Sequence, residues 1–245
     1  MSCDLPGPDA GRRAVTTGWF DQADVVADRP RGSTGPRLLH ADRERRVLVT
    51  AWVPGVLVVE GHRAEQDSGT YRQAGALLRA VHAVGSRIDG DWEAAADARA
   101  LAHLDGVHRI DATSERLLRA RIAAHVHPPV RVVPTHGDFQ PRSWVVDDAG
   151  RVRVVDRGRF AWRPPATDLA PLDAQQLAGR DDLAAAFVDG YGTDLRQGGA
   201  WQRARVREAI GTVVRAHRVG DEALEAQGHR MVDAVLAGEV LGGSV

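Results

Sequence analysis

Two aspartates carry the chemistry that this sequence offers. Asp138 stands in a His-Gly-Asp turn, and Asp156 follows 18 residues later, closing the apolar run Val152–Val155. Between them lie a second apolar run, Trp144–Val146, and the turn-forming stretch Asp147-Asp148-Ala149-Gly150. Two β-prone runs around such a stretch read as a β-hairpin. A hairpin brings its ends together, so both carboxylates are expected to face one cleft. Two acids beside a glycine turn suit a proton acceptor and a magnesium ligand, because magnesium takes hard oxygen donors and keeps several waters. The plainer role for the same residues is capping nearby main-chain amides in turns. His136 reads as a hydrogen-bonding brace rather than a base, and the ten histidines form no compact metal-binding cluster.

The elements that must position these acids are legible in outline. Arg46–Val53 (RVLVTAWV) reads as a buried strand containing Trp52, ended by Pro54-Gly55, with a second extended stretch over Val56–Glu60. Gln66–Val84 is helical in period, with Tyr71, Ala74, Leu77, Leu78 and Val81 on one face. Asp111 can cap a helix over Ala112–Val126 that sets Leu118 and Ile122 one turn apart. Val130–Pro134 is extended. Beyond Asp168 the chain is helical over Leu183–Tyr191, Trp201–His217 and Asp221–Ala237. His82 and His217 fall at the ends of helical stripes as packed or partly exposed residues, and Trp52, Trp144 and Trp162 read as core. The arginines of 201–218 are interleaved with acids and apolar residues and read as a solvated face. Ala14–Phe20 has the composition of a short strand. The order of strand, helices, hairpin and helices is that of an α+β fold.

Composition narrows the classes. The chain has 245 residues, 43% of them hydrophobic and 27% charged, which is enough for one large domain or two small lobes. A formal net charge of −1 argues against a nucleic-acid binder, which needs a concentrated excess of cations. No apolar run approaches the roughly 18 residues of a membrane span, and no secretory leader opens the sequence. With a single cysteine, Cys3, the expectation is a cytoplasmic protein without disulfides. All 32 basic residues are arginine, so chemistry that requires a lysine is excluded.

The run HGDFQPRSW (136–144), followed by a hairpin and a Val-Val-Asp ending, resembles the aminoglycoside phosphotransferase and choline kinase-like family, whose fold is that of protein kinases. Three further stretches agree in order: RLLHADRERRVLVTAWVPG (37–55) resembles the strand and hinge between two lobes, RQAGALLRAVH (72–82) the next helix, and ATDLAPL (166–172) the segment after the metal aspartate. The likeness covers about residues 36–235. It implies a mainly helical catalytic C-lobe over 54–245 and a small N-lobe with its hinge strand over 1–53. It also implies ATP- and magnesium-dependent phosphoryl transfer to a hydroxyl of a small molecule, aminoglycoside-like or a metabolite. Asp138 would be the catalytic base, Asp156 a magnesium ligand, and the backbone of Ala51, Trp52 and Val53 the adenine site. His136 and Asp168 would brace the catalytic loop.

Three departures from the pattern matter. Ser143 stands where the family has a metal-binding asparagine. No lysine exists for the α- and β-phosphates; Arg12 and Arg13 are weak substitutes, since arginine is planar and bulkier. The hinge begins only about 45 residues from Met1, too soon for a full small lobe with a glycine-rich loop, so a reduced N-lobe is expected. These departures keep a second reading open, a weak or inactive pseudokinase that binds a small molecule or a protein. A metal-dependent hydrolase using the same two acids is a third.

Overall fold

The structure, a computed structural model, describes residues 36–238 except 37, 43 and 46; the expected strand over 14–20 and the arginines at 12 and 13 lie outside the described residues. Strands β1 (Leu38–Asp42) and β2 (Val47–Thr50) pair antiparallel as a two-stranded ribbon. The buried strand expected over Arg46–Val53 is therefore shorter and more exposed than its composition implies. Trp52 lies beyond the ribbon with 86% of its surface exposed, and Leu39, Val47 and Val49 are also exposed. Among the described residues Trp52 joins neither apolar cluster, so it does not take the core position expected of it.

The chain then enters β3 (Val56–Leu57) and a short helix, α1 (His62–Glu65). Helix α2 (Ser68–His82) starts where the Asp67 carboxylate accepts the Thr70 amide at 2.8 Å, an N-cap that satisfies one orphan donor. Its stripe of Tyr71, Ala74, Leu78 and Val81 is buried as the period requires. After β4 (Arg87–Asp89) comes α3 (Trp92–Leu104), a helix the sequence reading did not resolve. Its sequence, WEAAADARALAHL, relies on alanine rather than on large apolar side chains, so its stripe is faint. Helix α4 (Ala112–Ala123) is capped by Asp111, which accepts from Thr113 and Ser114 at 3.0 Å each.

Strand β5 (Val130–Thr135) runs between β4 and β8 (Ala161–Arg163), antiparallel to both. The hairpin is present as β6 (Trp144–Val146) and β7 (Val152–Val154), with Trp144 opposite Val154. On its outer edge β3 adds a third strand, with Val56 opposite Val146. Helix α5 (Ala166–Leu172) continues into one π-helical turn, Asp173–Leu177. Helices α6 (Asp181–Tyr191), α7 (Gly198–Val219) and α8 (Glu222–Ala237) complete the chain.

Two apolar clusters hold this arrangement. One gathers the hairpin, α2, α5 and α6 around Tyr71, Phe139, Trp144 and Phe187; Tyr71 meets Trp144 edge to face with ring centroids 5.4 Å apart, a preferred aromatic geometry. The other joins α3, α4, α7 and α8 through Leu104, Leu118, Ile210 and Val232. Helices α2 and α6 touch backbone to backbone at Gly75 and Gly190. A Cβ on Gly75 would strike the Phe187 carbonyl, and one on Gly190 the Arg72 carbonyl.

Candidate active site

Strand β5 delivers Thr135 to the end of its sheet, and the chain turns through His136-Gly137-Asp138. Gly137 takes φ +81, and a Cβ there would collide with the Arg159 carbonyl and crowd the Arg163 guanidinium. Only glycine fits both demands. The turn is pinned from below by Asp168 of α5, which is 1% exposed. Its Oδ2 accepts the His136 amide at 2.7 Å, and its Oδ1 accepts the Gly137 amide at 2.6 Å. Oδ2 also meets His82 Nε2 at 3.1 Å, while His82 Nδ1 meets the Tyr191 hydroxyl at 2.8 Å. Burial works to raise the Asp168 pKa, but the His82 hydrogen bond and charge, with the main-chain donors, hold it below the usual carboxylate value. Asp168 is therefore an anion, held in the interior by hydrogen bonds to the His-Gly-Asp loop.

The His136 ring ties this loop to the hairpin. Its Nε2 lies 3.0 Å from the Val155 carbonyl, which can only accept, so Nε2 carries the proton. Nδ1 is then a lone pair, and it faces the Asp138 amide at 3.3 Å. Burial pushes the His136 pKa below its ordinary 6.5, in keeping with a neutral ring. The two acids flank this bond: Asp138 two residues after His136, Asp156 one residue after Val155.

Their surroundings differ. Asp138 is 8% exposed and receives a two-pronged contact from Arg142, whose Nε lies 3.2 Å from Oδ2 and whose Nη2 reaches Oδ1; Arg159 stands 3.9 Å from Oδ1. Asp138 also lines a cleft of about 800 Å³ bounded by α3, β8, α5 and α7. Asp156 is exposed and lies outside that lining. It holds φ +56, the one non-glycine residue in the left-handed region among the described residues. Its carboxylate takes a long 3.4 Å contact from the Gly158 amide, which leaves most of its lone pairs available. An aspartate held in this region directs attention to function.

Ser143 is buried beside it, at the mouth of the hairpin, where its carbonyl accepts the Val155 amide at 2.9 Å. No group of three or more His, Cys, Asp or Glu able to hold a metal exists among the described residues. A carboxylate with free lone pairs and a neighbouring hydroxyl residue nevertheless fits magnesium, which draws its remaining ligands from water and phosphate. Of the three residues expected at a hinge, Ala51 and Val53 are half-buried and Trp52 is exposed. Gly55, with φ +128, then brings the chain against Val146 of β6.

A model of the phosphotransferase enzyme family (APH) matches residues 17–229. The chain belongs to this phosphotransferase family. Solved structures agree on the fold, which is protein kinase-like. A thermostable mutant of aminoglycoside phosphotransferase APH(4)-Ia, in ternary complex with AMP-PNP and hygromycin B, superposes with a TM-score of 0.67 at 15% identity, covering 93% of this chain and 84% of that one. The choline kinase LicA from Streptococcus pneumoniae gives 0.63 at 11% identity, over 91% and 80%. The macrolide 2'-phosphotransferase MphH from Brachybacterium faecium gives 0.56 at 18% identity, over 90% and 79%. No curated protein matches the sequence. No helix among the described residues is long and apolar enough to cross a membrane.

For this family member, sequence reasoning missed two sets of residues. His82 and Tyr191 support Asp168 from α2 and α6. The position of His82 on a buried helical stripe marks it as packed, but nothing local reveals a partner 86 residues away. The arginines of α7 are not simply a solvated face. Arg203 and Arg207 turn inward onto Glu93 and Asp97 of α3, at 2.6–2.8 Å, and Arg215 and Arg218 line the cleft.

Proposed function

We propose that this protein transfers the γ-phosphoryl group of ATP to a hydroxyl of a small molecule bound in the cleft, in a cytoplasmic setting. Asp138 accepts the hydroxyl proton as the hydroxyl oxygen bonds to the γ-phosphorus; the bond from that phosphorus to the β–γ bridging oxygen breaks, and ADP leaves. Asp156 and Ser143 are the residues suited to hold magnesium, which neutralises developing charge on the phosphates when bound. The backbone at Ala51, Trp52 and Val53 takes the adenine. In the sheet β3-β6-β7 this hinge enters at the turn end of the hairpin, while Asp156 leaves at the other. The strands between span about 10 Å, a length suited to an extended nucleotide. Residues 54–245 form the catalytic lobe in this reading, and 1–53 lead to the hinge.

The observation that carries the proposal is the double anchoring of the His-Gly-Asp turn, by Asp168 from below and by Val155 from the side, which sets Asp138 at the head of the cleft. Positioning of this kind supplies much of the catalysis in phosphoryl transfer. The test is calorimetry of ATP with and without magnesium, together with ADP release across a panel of hydroxylated acceptors. Magnesium-dependent ATP binding, lost in Asp156→Asn, and turnover lost in Asp138→Asn support it. A wild-type protein that shows no ATP binding and no turnover sinks it.

One observation favours a second reading, a weak or inactive binding protein: the Arg142 fork occupies the carboxylate that would have to take the proton. The absence of lysine from the sequence points the same way. ATP binding without transfer to any acceptor would select it.

A further inference from the structure

The cleft beside Asp138 is cationic to a degree that the reaction itself does not require. Seven arginines line it against two carboxylates, Asp138 and Glu208. Arg207 is spent on structure, since Glu93 and Asp97 hold it from beneath. Arg142 and Arg159 face Asp138, and Arg215 reaches Glu208 at 3.2 Å. That leaves Arg99, Arg163 and Arg218, none of which has a carboxylate within ion-pair distance among the described residues. Arg163 lies against Gly137 at the catalytic end, with Nη1 3.5 Å from the Thr135 hydroxyl. Arg99, on α3, and Arg218, near the C-terminus of α7, both act on His103, and Arg99 also lies close enough to act on Arg163. His103 lines the same cleft, and burial together with Arg215, Arg218 and Arg99 holds its pKa below the ordinary imidazole value.

Like charges gathered in one concavity repel each other by about 1–4 kcal/mol per close pair, depending on how much water screens them. A cleft focuses such a field onto whatever enters it. The guanidinium fork matches the two oxygens of a carboxylate or phosphate, which makes arginine apt for oxyanions. The field would repel the ammonium groups of an aminoglycoside. Gln140 adds a neutral handle beside Asp138. It lines the cleft, and neither its amide nitrogen nor its oxygen has a partner among the described residues. A buried amide left unpaired costs about 1–3 kcal/mol, so a ligand hydroxyl there has something to gain.

We infer that the acceptor is an anionic hydroxylated small molecule: a carboxylate or phosphate ester held by Arg99 and Arg218 in the cleft, with its hydroxyl beside Asp138 and Gln140. This names the substrate class of the proposed phosphotransferase and so rests on that reading. The nucleotide is kept apart, because Asp156 and the hinge residues lie outside the cleft lining.

The test is calorimetry of the full chain with four probes: glucose 6-phosphate, glycerate, glucose and gentamicin, each with and without magnesium-ATP. One of the two anions is expected to bind at least tenfold more tightly than glucose or gentamicin, and which of them does tells phosphate from carboxylate. The double variant Arg99→Gln/Arg218→Gln removes two exposed side chains and is expected to weaken that anion at least tenfold, while the affinity for magnesium-ATP changes less than twofold. Arg99→Lys/Arg218→Lys should recover part of the loss. Tighter binding of gentamicin or glucose, or a double variant that weakens ATP rather than the anion, overturns the inference. If ATP binds and neither anion does, the inference fails and phosphoryl transfer survives. If an anion binds and ATP does not, the cleft assignment stands and phosphoryl transfer falls.

Discussion

The Nε2–H of His136 donates to the carbonyl of Val155 across 3.0 Å, and this bond joins the loop that carries Asp138 to the segment that runs from β7 to Asp156. A side chain that donates at one nitrogen and accepts at the other is needed there. Asn is too short to do both, and Ala leaves the Val155 carbonyl and the Asp138 amide unpaired. His136→Ala is expected to cost about 2–4 kcal/mol, from a lost buried side chain and two unmatched polar groups. The loss should appear in urea unfolding, with turnover falling more than stability alone explains.

Asp168→Asn keeps the shape of the brace and removes its charge. Two main-chain donors and His82 then face a weaker acceptor, and an amide NH2 is forced against a donor. A destabilisation of about 3–5 kcal/mol is expected, the scale for breaking a buried charged network, together with a fall in melting temperature. A melting temperature unchanged from wild type would remove Asp168 from the brace.

Arg142 is half-exposed, at 49% of its side-chain surface, so its pair with Asp138 is worth about 1 kcal/mol or less after solvent screening. Arg142→Gln should leave the fold intact. It should also raise basal ATP hydrolysis by up to about fivefold, because a water can then approach a carboxylate no longer covered by the fork. A fall in basal hydrolysis would show that Arg142 assists the transfer instead.

Gly190→Ala adds one methyl where α6 touches the Arg72 carbonyl of α2. The gain in helix propensity is about 1 kcal/mol, but the backbones must part to admit the methyl, at about 1–3 kcal/mol or more. Net destabilisation is expected on chemical denaturation. A variant at least as stable as wild type would show that the two helices are not in this close contact.

Stability should rise with pH through the acidic range. Below pH 6.5 an unfolded His136 binds a proton that the buried neutral ring refuses, so stability falls as pH drops through that value. Asp168, Asp97 and Glu93 have folded pKa values below the ordinary 3.8 to 4.5. Their contribution is present above those values and is lost as pH falls through the folded ones. Two stages of loss on acidification, monitored by melting temperature between pH 7 and pH 3, are the expected outcome.

The hairpin between Asp138 and Asp156 was legible because its signal is local: alternating runs, a turn of Asp and Gly, and two acids at fixed spacing. The same holds for α2, where large apolar side chains repeat at helical period. The strand around Trp52 was misjudged because β-branched composition reports fit to a pleated surface, while burial depends on what lies above it. Helix α3 escaped notice because alanine marks helix without marking a face. The His82–Asp168 contact and the arginine-lined cleft join residues far apart in the chain, and one sequence holds no signal for such pairings.

The walls of the cleft are joined to each other by ionic forks, Glu93 and Asp97 reaching Arg203 and Arg207, while Arg99, Arg215 and Arg218 line it from the same two helices without tying one to the other. On the proposed reading, the side chains that would greet a guest are other than the forks that keep the house standing. A lineage could exchange the former one at a time, moving from one guest to another, without first having to repair its foundations.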